Sequence, residues 1–525
     1  MNKTALTKTY TKDIQNSCLN SKKIVLSLAA ISFSASCTHA TLTPEIETYE
    51  EANRHAKARS GISSKSSNNN KTISSLQNST QTVSNTGNTL VIESGGTITI
   101  SNGGQQAVNF QPNSSTSTFL NQGTLIGGNN TASVQLGGAN NNNGATIETF
   151  DNQGIIGNGS SKFGVTVWGT NSSKSTINNF SNSGTIYSNT GESIYFGNAN
   201  ISSFANSGTI KSKQRAGVNI SQGTSIGNFN NSGTIEGKSM GVNVRSTINT
   251  FVNDGLIAAT DMRSSDGIQI NANVKTLINK GTIKGDGIIS IRLNGTIESL
   301  INESIMDGKS TGIYMNKGFV KTLTNSGTIN QNNSVTWAAG IKLEHGSTIE
   351  NIINTGSIRS NAFGISVTGG KFGTLTIKDG GQVYGKYSAI GVGRSQTLGD
   401  LYIDGRSNNG TVSGIYSEEN GIALDANSQT QKIELKNGGI IKGKIHGIRL
   451  DNGASLSGEM ILSGEGSRVE GGSGAGILNR SGKITGSITI KDGATVTATS
   501  NQAIANYLSG SITGGITVSG KNTKL

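Results

Sequence analysis

The chain has 525 residues, 73 of them glycine and only 2 proline, with 5% aromatic and 14% charged side chains and a formal net charge of +12. Glycine enrichment of this order often marks a disordered chain, but the apolar residues here keep a strict phase over hundreds of positions, which excludes disorder. The basic balance invites a nucleic-acid reading; lysines and arginines stand singly along the repeats, with no basic run interleaved with aromatics, so no nucleic-acid partner is expected. The charge reads instead as a solvated surface with weak attraction to acidic glycans or cell surfaces.

In chain order, the first feature is a targeting segment. Lys22-Lys23 precede an apolar run from Ile24 to Ala35 and small residues around Ser36 and Ala40, the pattern of an export signal. The run is shorter than the roughly 20 residues of a spanning helix. Residues 1–40 are expected to be a signal peptide with an extended n-region, cleaved after Ala40. Cys18 and Cys37 are the only cysteines, so cleavage leaves no thiol for a disulfide or a metal site. Ser34-Ala35-Ser36-Cys37 offers an alternative, lipidation at Cys37, with Ser34 standing where such signals usually carry leucine; a lipid there anchors the N-terminus to a membrane. Residues 41–60 are the helical candidate. Pro44 suits a first turn, Glu45, Glu47, Glu50 and Glu51 precede Arg54, Lys57 and Arg59, and Gly61 sits at the stop. Ser63 to Asn88 is polar, so residues 41–89 read as a helical, then Ser/Asn-rich lead-in, with the solenoid expected from Leu90.

From residue 119 to 358 one motif recurs: apolar–x–Asn–x–Gly–x–apolar. Its asparagines are Asn121, Asn152, Asn182, Asn206, Asn231, Asn253, Asn279, Asn302, Asn325 and Asn354, and Ser304 alone replaces the glycine. The first position is Phe119, Phe150, Phe180, Phe204, Phe229, Phe251, Leu277, Leu300, Leu323 and Ile352. A fixed period of this size means a solenoid. Each unit holds three short β-signals, as in Thr224-Ser225-Ile226-Gly227-Asn228-Phe229, Thr234-Ile235-Glu236 and Gly241-Val242-Asn243-Val244, whose alternation makes half-buried strands. One such unit cannot bury its apolar face alone, whereas stacked units do. The asparagine has two compatible structural roles: tolerating a left-handed corner beside its glycine, or stacking its amide from rung to rung in a ladder. In residues 372–525 the corner becomes a strand ending in Asp-Gly or Asn-Gly, as at Asp379-Gly380 and Asn437-Gly438. The expected fold is all-β, an elongated right-handed parallel β-helix of about 17 coils and roughly 80 Å.

Catalytic motifs fail on inspection. Gly-x-Ser-x-Gly occurs at Gly223, Gly237 and Gly308 without a helix to open. Gly233 to Ser239 is one residue short of a phosphate loop. Asp261 and Asp266 share a loop with Arg263 and form the best carboxylate cluster for glycan hydrolysis, but a solvated loop accounts for them better. Lys284-Gly285-Asp286 looks like an integrin-binding tripeptide, a pattern that chance also produces. No catalytic, cofactor-binding or metal-ligating residues are expected.

The long n-region, the cysteine-free mature chain and the Phe-x-Asn-Ser-Gly-Thr-Ile repeats resemble an autotransporter passenger, of the surface-adhesin type found in Gram-negative bacteria. The resemblance implies export through the inner-membrane machinery and display at the cell surface by a C-terminal β-barrel, which this sequence lacks; without one supplied, the chain is expected to stay periplasmic. It implies a non-enzymatic adhesin attaching to a host-cell, matrix or glycan receptor, or to other bacteria. The loops Asn129 to Ala145 and Asn330 to Ala339, with Trp337, are the expected contact points. The alternatives are a glycan-active β-helix enzyme using Asp261 and Asp266, or a truncated passenger without function.

Overall fold

A computed structural model describes residues 70–525 apart from 85, 139–142, 159, 262–264, 334, 408 and 409. The expected signal peptide, Cys37, the helical candidate at 41–60 and Arg263 lie outside the described residues.

The repeat unit folds as a single coil of three strands. In the coil of Phe229 these are Ser225–Asn231, Thr234–Gly237 and Met240–Val244. Each pairs in parallel with its counterpart one coil before and one coil after, which generates three long sheets. The second and third sheets each hold 17 strands among the described residues. The ladder therefore climbs about 16 turns, or about 80 Å at the parallel-strand spacing. No helix occurs in this region.

Ladder formation begins earlier than Leu90. Lys71–Ile73, Leu76–Gln77 and Gln81–Val83 already form a coil, paired in register with the next one. Its strands are two or three residues long and bury only Ile73, Gln81 and Val83, which is why a Ser/Asn-rich sequence concealed it.

Side chains alternate in and out, and in-register pairing places each inward residue on its homologue. Phe119, Phe150, Phe180, Phe204, Phe229 and Phe251 form one continuous column with ring centroids 4.4–5.0 Å apart. Leu277, Leu300, Leu323 and Ile352 extend it, all inaccessible to solvent. Each buried ring contributes about 2–3 kcal/mol by area, and each pair roughly 0.5–1.5 kcal/mol more.

Two residues further on, the asparagine amides run parallel to that column. Each Nδ2 donates to the Oδ1 of the next coil's asparagine, from Asn121 to Asn354, in nine consecutive bonds of 2.6–2.9 Å. The remaining N–H of Asn206 lies near the Gly208 and Thr234 carbonyls, both at 3.3 Å, so a buried amide is satisfied in full. Neither the asparagines nor the motif glycines take positive φ, so a left-handed corner is not their reason. The glycine is required by close approach: a Cβ on Gly208 would lie 2.1 Å from the Gly184 carbonyl oxygen. Ser207 and Gly208 both donate to the Asn182 carbonyl, at 2.8 and 3.0 Å. At the exception, Ser304, the coil is looser: Ile305 N–H reaches the Gly281 carbonyl at 3.2 Å, where Thr209 reaches Gly184 at 2.9 Å.

The amide column is bounded by apolar residues. Ile92 stacks on Asn121 and Ile377 on Asn354. Asn354 Nδ2 ends on the Gln382 carbonyl at 3.0 Å, whereas Asn121 Oδ1 is buried with no donor. Beyond Ile377 the same position is Ile403, Leu435, Leu462 and Ile490, and here the corner is left-handed. Asp379-Gly380, Asn437-Gly438 and Asp492-Gly493 take φ values of 53 and 86°, 53 and 88°, and 55 and 85°, a conformation that Asp and Asn tolerate and glycine supplies freely.

The ladder makes the cost of losing an asparagine depend on its rung. Asn231→Ile leaves Asn253 Oδ1 without its donor, whereas Asn121→Ile moves an existing orphan by one rung. We expect N231I to cost about 1–3 kcal/mol more than N121I, read by thermal denaturation followed by circular dichroism; equal costs would remove the ladder as the reason for the asparagines. Gly208→Ala should cost about 1–3 kcal/mol through overpacking, with the first proteolytic cut moving to that coil.

Candidate binding surface

The sequence-expected asparagines are at most 1% exposed, so they hold the rod together and touch nothing outside it. Asp266 does not share a solvated loop with Asp261: it opens the third-sheet strand Asp266–Ile270 and is 7% exposed. Arg292, on the next coil, grips it through Nε at 2.6 Å and a second nitrogen at 3.3 Å. Burial holds this carboxyl above its ordinary range, with Arg292 working in the opposite direction. Lys284 and Asp286 pair with each other at 2.7 Å. His446 accepts a hydrogen bond from the Ala475 N–H through Nδ1 at 2.9 Å, and burial lowers its pKa, so it is a neutral acceptor inside a corner. Among the described residues no three His, Cys, Asp or Glu side chains converge as metal ligands.

What the coil geometry brings together is the outer face of the third sheet. Each of its strands turns one central residue outward, and register aligns these as Asn219, Asn243, Gln269, Arg292, Tyr314 and Lys342. They form a connected surface. Asn243 Nδ2 donates to Asn219 Oδ1 at 3.2 Å. The Arg292 guanidinium lies 5.1 Å from the Tyr314 ring centre, and the Tyr314 hydroxyl donates to Glu344 at 2.7 Å. Lys342 pairs with Glu344 at 2.7 Å and stands 5.4 Å from the centre of Trp337. Trp337 is 51% exposed, on a turn closed by Ala338 N–H to the Val335 carbonyl at 3.1 Å. It is both packed under a lysine and open to solvent. Part of the other expected contact loop, 139–142, lies outside the described residues.

A partly exposed ion pair such as Lys342–Glu344 contributes about 0–1 kcal/mol to stability, so within this row only Arg292, which neutralises the buried Asp266, has a clear structural duty. The chemistry of the row suits recognition: planar donors, amides, a phenol and an indole at a spacing of about 4.8 Å. Burial, seconded by the Glu344 carboxylate, raises the Tyr314 phenol to about 12. Glu344 settles below the usual carboxylate range; burial pushes it up, but Lys342 and Tyr314 outweigh that.

The row was legible in principle. Gln269, Arg292, Tyr314 and Lys342 all occupy the x of the apolar–x–apolar strand, so aligning the strands by their glycines and apolar residues would have placed them in one column. The Asp266–Arg292 pair does not follow from that alignment, which sets Asp266 opposite Ile289 and Arg292 opposite Gln269; the long arginine side chain reaches back to the start of the neighbouring strand.

Comparison with protein families, curated proteins and solved structures finds no match for this chain.

Tyr314 gives the surface a pH signature. Its phenol ionises near 12 in the folded chain against about 10 when unfolded, so the stability it contributes is complete below pH 10 and is lost as pH rises through 12. Phenolate absorbance of the parent minus that of Tyr314→Phe should show one tyrosine titrating near pH 12, and the same substitution should flatten the alkaline loss of stability. A difference titration centred on pH 10 would mean that the phenol is neither buried nor held by Glu344 in solution.

Proposed function

We propose that this chain is the exported passenger of an autotransporter, displayed as a non-enzymatic surface adhesin whose third-sheet face meets a receptor on host cells, matrix or neighbouring bacteria. The observation that carries this reading is the contrast between the inside and the outside of the same coils. Inward columns keep to one chemistry, amides in one and phenylalanine followed by leucine and isoleucine in the other, because each side chain must pack on its counterpart in the next coil. The outward column from Asn219 to Lys342 holds five residue types in six rungs and reaches a half-exposed Trp337. A rod with a uniform interior and a varied, hydrogen-bonding exterior supports binding by many modest contacts, which add through multivalency when copies are displayed together.

A catalytic reading has less support. Asp266 is buried against Arg292, and a glycosidase carboxylate pair has to face its substrate across a gap of several ångströms.

The test uses producing cells. Protease added to intact cells should remove the rod while a periplasmic control protein survives, and deletion of the gene should lower attachment to host cells. A rod protected until the outer membrane is opened, or attachment unchanged by the deletion, would overturn the adhesin reading.

A further inference from the structure

Beside the third-sheet row, at the corner leading into the first sheet, two clefts follow each other along the rod. The first has a volume of about 370 Å³ and is lined by Gln222, Asn243, Arg245, Gln269 and Asn271. The second, of about 350 Å³, is lined by Asn294, Asn316, Lys317 and His345. Asn294 Nδ2 donates to Asn271 Oδ1 at 2.6 Å, so the two clefts adjoin along the rod at this pair, and together they are called the groove. Arg245 and Lys317 stand three coils apart, about 14 Å at the strand spacing.

The groove's chemistry is selective. Its lining holds amides, a guanidinium, an ammonium and an imidazole, and no carboxylate. The nearby acids are engaged elsewhere: Asp266 by Arg292, and Glu344 by Lys342 and Tyr314, with His345 at 3.7 Å. Asn243 is only 8% exposed, and its Oδ1 has no donor within the protein; Asn294 Oδ1 in the second cleft is in the same condition. A buried acceptor without a donor is a costly group, and both belong to residues that line the clefts, the two oxygens themselves being closed to solvent. Lys317 and His345 both sit at positive φ, 61 and 52°, where residues other than glycine are uncommon.

We infer that this groove binds a linear acidic glycan lying along the rod axis, its carboxylates on Arg245 and Lys317 and its hydroxyls on the amide side chains that line the clefts. Amides and a guanidinium recognise vicinal hydroxyls and carboxylates by paired hydrogen bonds, and the run of amides between two cations matches a chain in which neutral hydroxyl faces separate the charges. This inference rests on the reading of the rod as a binding surface, and it names the site and the ligand class.

The experiment uses the purified full chain and three probes: polygalacturonate oligomers, neutral galactan oligomers of equal length, and duplex DNA as an unrelated polyanion. Calorimetry should show binding of the uronate oligomer alone, weakening as salt rises. Arg245→Gln and Lys317→Gln should each lower that affinity about ten-fold, the loss of one charge-assisted hydrogen bond. Lys371→Gln, an exposed lysine on the first sheet, should leave it unchanged. Equal binding of DNA, or equal losses from all three variants, would reduce the groove to general electrostatics and overturn the inference, as would no binding of the uronate. Attachment of displaying cells separates the two readings. Attachment that persists in Arg245→Gln/Lys317→Gln removes the groove as the receptor site and keeps the adhesin; uronate binding by a rod whose cells never attach keeps the groove and removes the adhesin.

Discussion

Parallel strands stacked in register impose one condition on everything inside this rod: each inward side chain must be compatible with a copy of itself about 4.8 Å away. Few polar groups meet it. A carboxylate or an ammonium repels its copy, and a hydroxyl gives an ambiguous chain. A primary amide has a donor at one end and an acceptor at the other, so translation brings unlike atoms together, and the asparagine column from Asn121 to Asn354 is the result. Phenyl rings meet the same condition through offset stacking, as Phe204, Phe229 and Phe251 do. Outside, where solvent relaxes the condition, neighbouring coils carry opposite charges instead: Lys211 faces Glu236, and Arg292 faces Asp266.

The two halves of the rod solve the corner problem in different ways. From Phe119 to Ile358 a glycine without left-handed geometry lets successive corners nest against each other's carbonyl oxygens, with the asparagine amide tying each corner to the next. From Ile377 on, the amide is replaced by an aliphatic side chain, and at Asp379-Gly380, Asn437-Gly438 and Asp492-Gly493 the corner is a two-residue left-handed turn. The exchange is consistent: without an amide to bond the corner from inside, the backbone supplies the reversal itself. Both solutions deliver the following strand to the same second sheet.

Much of this was legible in the sequence because the structure is periodic. The spacing of Phe and Asn disclosed the coil, and the three apolar patterns disclosed its three strands. The first coil at Lys71 escaped because strands of two or three polar residues carry too few apolar positions for alternation to register. Asp266 was misplaced because proximity in sequence to Asp261 suggested a loop, whereas its partner is Arg292, one coil away. The groove was invisible for a related reason: Arg245, Asn271, Asn294 and Lys317 lie on four different coils, and only a coil-by-coil alignment puts them side by side.

One further property follows from the asparagine column. All nine of its bonds point the same way, so its amides do not cancel as the carbonyls of a strand do; they sum, over roughly 40 Å, into an axial dipole with its positive end at Asn354 and its negative end at Asn121. Every rung thus offers an N–H to the coil after it and an oxygen to the coil before it. A coil duplicated or deleted anywhere along the column leaves each neighbour facing the partner it already had. As far as the amide column is concerned, length is therefore free to change by whole coils through recombination; the inter-coil ion pairs such as Arg292–Asp266 are what such a change has to preserve.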